Sequence, residues 1–117
     1  MSECIFCGIA AGEVSTDVVY ADDTTVAFRD MSPVAPVHLL VVPRDHHESV
    51  AAMAAVDGQG VADLFAAVAA VTRAAGIDKT GYRVVTNVGA DSGQEVEHLH
   101  LHVLGGERLS SLGRASA

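Results

Sequence analysis

Three histidines stand at alternate positions in the run His98-Leu99-His100-Leu101-His102. Alternate side chains on a β-strand share a face. A strand over His98 to Leu104 would therefore line up all three imidazoles, about 6.5–7 Å from one to the next. Leu99, Leu101 and Val103 would then face the core. An unperturbed imidazole titrates at about 6.5, so near neutral pH much of it carries an available lone pair. Such a nitrogen can attack phosphorus and hold the phosphoryl group covalently, while neighbouring imidazoles donate to the phosphate oxygens. Imidazole is also a common zinc ligand, so a metal site built from two or three of these side chains is a second reading. A half-exposed strand that merely carries histidine is a third, disfavoured because such faces select Thr, Tyr and charged residues.

Two further groups could do chemistry. The loop Gly89-Ala90-Asp91-Ser92-Gly93-Gln94 lies just upstream of the run, and its backbone N–H groups could form an anion-binding concavity. Cys4-Ile5-Phe6-Cys7 has the two-residue spacer of a zinc half-site, to which His46 or His47 could add a ligand. Cysteines so close together make a poor structural staple. The N-terminal stretch has no basic start followed by an apolar run, so metal or redox chemistry in the cytosol is expected rather than a secreted disulfide framework.

Charge narrows the partners. Fifteen acidic residues against seven basic ones give a formal net charge of −8, with no cluster of Lys and Arg. That balance excludes nucleic acid and anionic membranes as expected partners. No uncharged apolar segment approaches the ~18–20 residues needed to span a bilayer. An anionic substrate must therefore be met locally, by backbone N–H groups, imidazoles or a metal.

The elements that must position these groups read as one mixed α and β domain in a chain of 117 residues. A short helix over Cys4 to Ala11 is closed by Gly12. Strands are expected over Asp17 to Ala21 and Thr24 to Arg29, joined at Asp22-Asp23. Ser32 to Pro36 is a loop, and Val37 to Val42 is a buried strand ended by Pro43. Asp57 to Ala75 is the main helix, with Asp57 as N-cap and Gly76 as stop. Val61, Leu64, Phe65, Val68 and Val71 form one apolar stripe, and Ala62, Ala66, Ala69 and Ala70 cover much of the rest. A helix apolar nearly all round is buried on more than one side, which points to a homodimer. Gly81 to Val88 and His98 to Leu104 are the last strands. Glu107 to Ala117 reads as a polar tail after a domain of residues 1–106.

His98-Leu99-His100-Leu101-His102-Val103-Leu104 resembles the signature of the histidine triad (HIT) family, in which histidines alternate with apolar residues. Phe28-Arg29-Asp30-Met31-Ser32-Pro33-Val34-Ala35-Pro36-Val37-His38 looks like that family's nucleoside-binding segment. Leu39 to His46, Gly81 to Asn87 and Gly93-Gln94 also resemble it, so the likeness runs from about Cys4 to Gly106. It is nearest the Hint branch, the nucleoside phosphoramidases, in their bacterial zinc-containing form.

The resemblance implies an α+β fold, with a five-stranded antiparallel sheet, one long and one or two short helices, and a homodimer. It implies hydrolysis at the α-phosphate of purine nucleoside 5'-phosphoramidates or related nucleotidyl conjugates, with His100 attacking phosphorus. Hydrolysis or phosphorolysis of dinucleoside polyphosphates, and nucleotide binding without catalysis, are the alternatives. His102 and Asn87 would bind the phosphate, with backbone N–H groups near Gly93 and Gln94. Asp30 would accept from the ribose hydroxyls, and Phe6, Ile9, Phe28 and Met31 would line the base pocket. His38 corresponds to another histidine near the site, with a buried structural role equally open. Glu95 stands where many Hint-branch proteins have Ser, which bears on the leaving group, whereas Glu97 reads as a solvated residue. Zinc would be held by Cys4, Cys7, His46 and His98 in a structural role, with His47 as an alternative third ligand. The chemistry itself would need no cofactor.

Overall fold

The computed structural model describes residues 4–111. Its elements run α1 (Ile5–Ala10), β1 (Val18–Ala21), β2 (Thr25–Arg29), β3 (Val37–Pro43), α2 (Val50–Val56), α3 (Gly58–Ala74), β4 (Tyr82–Val85) and β5 (Leu101–Gly105), with a 3-10 turn at Ala90–Ser92. The strands form one antiparallel sheet in the order β1-β2-β3-β5-β4. The histidine-bearing β5 therefore lies inside the sheet, between β3 and β4.

Each face of this sheet has its own apolar layer. Leu39 and Val41 of β3 and Leu101 and Val103 of β5 meet Met53 of α2 and Leu64, Val68 and Val71 of α3. On the opposite face Val26, Phe28, Leu40 and Val42 meet Phe6, Ile9 and Ala10 of α1. Burial on both faces explains why Val37–Pro43 reads as a continuous apolar run rather than an alternating one. The alternation on β5 places His102 on the α1 face, opposite Leu40 in the register.

Local signals account for most boundaries. The Asp22 carboxylate accepts from the Thr24 and Thr25 N–H groups, at 2.9 Å each, and so shapes the β1–β2 turn. The Asp57 side chain caps α3 by accepting from the Gly60 N–H at 2.9 Å. Gly76, with φ +77°, adopts after that helix a conformation that only glycine takes readily.

Four expectations change. The last strand starts at Leu101, not His98. β3 ends at Pro43, which has no N–H to offer, and the Leu99 N–H donates instead to the His47 carbonyl at 2.6 Å. The strand expected over Gly81 to Val88 pairs only over Tyr82–Val85. The helix α2 is additional. Met53 is its sole buried residue, so it has almost no apolar periodicity, and Ala-rich propensity with a Ser49 cap forms it. Phe65, placed on the buried stripe of α3, is 48% exposed.

No helix among the described residues is long and apolar enough to cross a membrane. The expected tail is irregular as far as Ser111, and its remainder, residues 112–117, lies outside the described part.

Candidate active site

Although β5 begins at Leu101, the three histidines are held firmly by contacts outside the ladder. His98 is fully buried. Its Nε2 lies 2.9 Å from the Pro43 carbonyl, which can only accept, so that nitrogen carries the proton. Its Nδ1 lone pair is then directed at Cys4 Sγ (3.3 Å) and Cys7 Sγ (3.4 Å). The Thr86 hydroxyl donates to the His100 carbonyl at 3.0 Å, tying the end of β4 to the same segment.

The same reasoning fixes the other two rings. His100 Nδ1 lies 2.7 Å from the His98 carbonyl and must donate to it, so in the neutral tautomer the lone pair is on Nε2. The Val34 N–H donates to His38 Nδ1 at 3.2 Å, so His38 carries its proton on Nε2. That proton is donated to His102 Nδ1 at 2.9 Å. Neutral His102 is then protonated on Nε2, a donor. The run thus presents one imidazole with a lone pair and, at a ring separation of 5.1 Å, one with an N–H.

Electrostatics keep the donor neutral. Burial, then the neighbouring His100 and His38, push His102 down to about 4, against a smaller opposing effect of Asp30. Burial likewise lowers His38, opposed by the Asp30 carboxylate at 3.9 Å. Burial lowers His98, partly offset by its bond to Pro43.

His100 and His102 open on a concavity of about 310 Å³, whose walls include Phe6, Asp30, Leu40, Asn87, Gly93, Glu95 and Val96. Phe6 packs edge-on against His100, with ring centroids 5.0 Å apart, and against Phe28 at 5.5 Å. Seven of the residues singled out from the sequence therefore share one wall. Ile9 and Phe28 are buried behind Phe6 in the α1 layer. His38 stands behind His102. Met31 is 87% exposed and outside the wall. Gln94 turns away: its amide donates to the Glu48 and Val96 carbonyls and accepts from the Gly89 N–H. The backbone N–H groups of Gly93 and Gln94 are used inside the loop, by the Ala90 and Gly89 carbonyls, rather than being directed at the concavity. Leu40 and Val96 were missed. Leu40 was recoverable, because it faces His102 once β3 and β5 are paired.

A second cluster lies behind the first. One ligand atom each from Cys4, Cys7, His46 and His98 falls within 4.8 Å of the others, with Cys7 Sγ to His46 Nδ1 at 3.3 Å. Of the two candidate third ligands, the structure brings in His46, while His47 offers its carbonyl to Leu99. Two thiols and two imidazoles are a zinc-type donor set. The His98 lone pair, set by its bond to Pro43, is oriented as a ligand nitrogen must be. Asp30, His38 and His102 also lie within 4.8 Å, but both His38 nitrogens are already engaged in the hydrogen-bond chain.

Fold and site define a class: a small α+β domain whose sheet sets two imidazoles side by side, one bonded through Nδ1 to a carbonyl and the other to a third histidine, at the edge of an apolar wall. Comparison with known proteins agrees. The HIT domain family matches residues 11–109. The purine nucleoside phosphoramidase of Escherichia coli (strain K12) is 38% identical over 110 residues, covering 94% of this chain and 92% of that one. A histidine triad protein from Clostridium difficile superposes with a TM-score of 0.92 at 42% identity, covering 97% and 98% of the two chains. A HIT family hydrolase from Clostridium thermocellum gives 0.90 at 36% identity, with 96% and 97% covered. The chain belongs to the HIT family.

Proposed function

We propose that this protein hydrolyses purine nucleoside 5'-phosphoramidates or related nucleotidyl conjugates at the α-phosphate, through a nucleotidyl-His100 intermediate. The observation that carries this reading is the His100 Nδ1–H bond to the His98 carbonyl at 2.7 Å, which puts the lone pair of the neutral tautomer on Nε2. In the first step Nε2 forms a bond to phosphorus, the P–N bond breaks, and the departing amine takes a proton from solvent. In the second, water attacks phosphorus and returns a proton to solvent, the N–P bond breaks with its electron pair going back to His100 Nε2, and nucleoside monophosphate leaves. Two displacements replace one difficult one. The His102 Nε2–H and the Asn87 side chain hold the phosphate oxygens. Asp30 accepts from the ribose hydroxyls, and Phe6, Leu40 and Val96 give the base an apolar wall.

Zinc held by Cys4, Cys7, His46 and His98 would supply a structural tie between α1 and the segment carrying His100. Its measure is metal analysis of protein purified without added metal. A homodimer through the open face of α3 completes the reading.

The mechanism is tested by intact-protein mass spectrometry after rapid quench with an adenosine phosphoramidate. A nucleotidyl adduct is expected in the wild type and not in His100→Ala. Turnover that survives His100→Ala excludes the covalent route. Dinucleoside polyphosphates in the same panel measure how far the site accepts a phosphate leaving group.

A further inference from the structure

The catalytic concavity shares a wall with a second one. Glu95 and Val96 line both, and the second is completed by Cys4, Ile5, His46 and Glu97. Among the described residues, the carboxylates around the pair are Asp30, Glu95 and Glu97, and no Lys or Arg lines either hollow. The arginines near the sheet are committed elsewhere. Arg29 pairs with Asp17, and Arg44 donates to the Ala10 and Asp22 carbonyls. Arg83 and Arg108 line a separate hollow beside β4.

One phosphate can be held here by neutral donors, His102 and Asn87. A second phosphate on the leaving side would meet Glu95 with no Lys or Arg of the described residues to offset it. A group leaving phosphorus and passing Glu95 enters the second hollow, where Glu97 adds another negative charge. A fixed carboxylate at the junction repels an anionic leaving group and attracts a cationic one.

We propose that Glu95 selects conjugates whose departing amine carries a second, positively charged amino group, making nucleoside phosphoramidates of diamines the preferred substrate class. This rests on the hydrolase reading above. The chemistry is unchanged: the P–N bond breaks, the proximal nitrogen takes a proton, and the distal ammonium stays protonated throughout. Glu95 acts on the leaving group by charge alone.

The test compares two near-isosteric substrates, adenosine 5'-(N-3-aminopropyl)phosphoramidate and adenosine 5'-(N-butyl)phosphoramidate. The expected wild-type ratio of kcat/KM is about five- to tenfold in favour of the aminopropyl compound, as one partly screened charge pair would give. The ratio should shrink as salt rises. It should fall below about twofold in Glu95→Gln, remain above that in Glu95→Asp, and fall less in Glu97→Gln. Because the readout is a ratio within one enzyme, a general loss of activity in a variant does not mimic it. A wild-type ratio near one overturns the proposal, and so does a ratio that Glu95→Gln leaves unchanged. If neither compound is hydrolysed, the hydrolase reading itself fails, which is a separate outcome.

Discussion

His100 and His102 are the same residue type two positions apart, yet their rings bond in opposite senses. The difference lies in what each Nδ1 meets: a carbonyl for His100, the His38 N–H for His102. The alternation of the three histidines was legible in the sequence. Which nitrogen carries each proton was not, because it depends on the Val34 N–H and on backbone carbonyls brought close only by folding. His38 resolves in the same way. It is a buried histidine whose bonds orient the neighbouring His102 ring. Substituting His38→Ala leaves His102 Nδ1 without its donor, so the loss should be roughly tenfold or more in kcat, with KM changed less, by steady-state kinetics on an adenosine phosphoramidate. The same groups set an acid response. His102 is lowered to about 4 in the folded state, so between there and about 6.5 the unfolded chain binds more protons. The stability this neutral ring contributes is complete above about pH 6.5 and is lost as pH falls toward 4. Urea unfolding between pH 7.5 and 4.5 should show about 1–3 kcal/mol lost from this group, and a shallower slope in His102→Asn.

At the scale of elements, burial on two faces made β3 readable, and the Asp57 cap and Gly76 stop made α3 readable. The start of β5 was not, because alternation looks the same inside a ladder and in an extended segment held by other bonds. The Thr86 hydroxyl and the His47 carbonyl do for His98 to His100 what ladder bonds do further on. The helix α2 escaped notice for the opposite reason, since a helix with one buried side chain leaves no stripe to read. Its junction with α3 turns on one residue. Asp57 ends α2 through its backbone N–H to the Met53 carbonyl and starts α3 through its carboxylate. Asp57→Ala should therefore cost about 1 kcal/mol, with Asp57→Asn retaining most of it. Calorimetry should show a fall in Tm of roughly 3–5 °C for the alanine variant and less than half of that for asparagine.

The molecule as a whole has a sheet covered unequally. The α2–α3 side has a deep layer, whereas the other side depends on α1, six residues long and too short to be stable alone. Its contacts with His98 and His46 through Cys4 and Cys7 join it to the rest. In Cys7→Ser, bound zinc should fall toward zero by elemental analysis, and Tm should drop, because binding free energy at such a site is folding free energy. α3 raises the remaining question, that of its outer face. Phe65, Ala62, Ala66 and Ala69 lie together there and are exposed in the single chain. The apolar pattern of this helix was legible in the sequence, but it could not say which apolar side meets the sheet. Folding assigns Leu64, Ala67, Val68 and Val71 to the core and leaves Phe65 outside. Small residues around one large ring permit close approach of a second helix, and among the described residues no strand pairs with the outer edge of β4. Light scattering at micromolar concentration should give twice the 12.1 kDa of one chain. Phe65→Glu should return it to one chain's mass, because two buried carboxylates would face each other across a symmetric contact. A wild type that scatters as a single chain would remove the dimer from the proposal and leave the proposed catalytic groups, all drawn from one chain, unaffected.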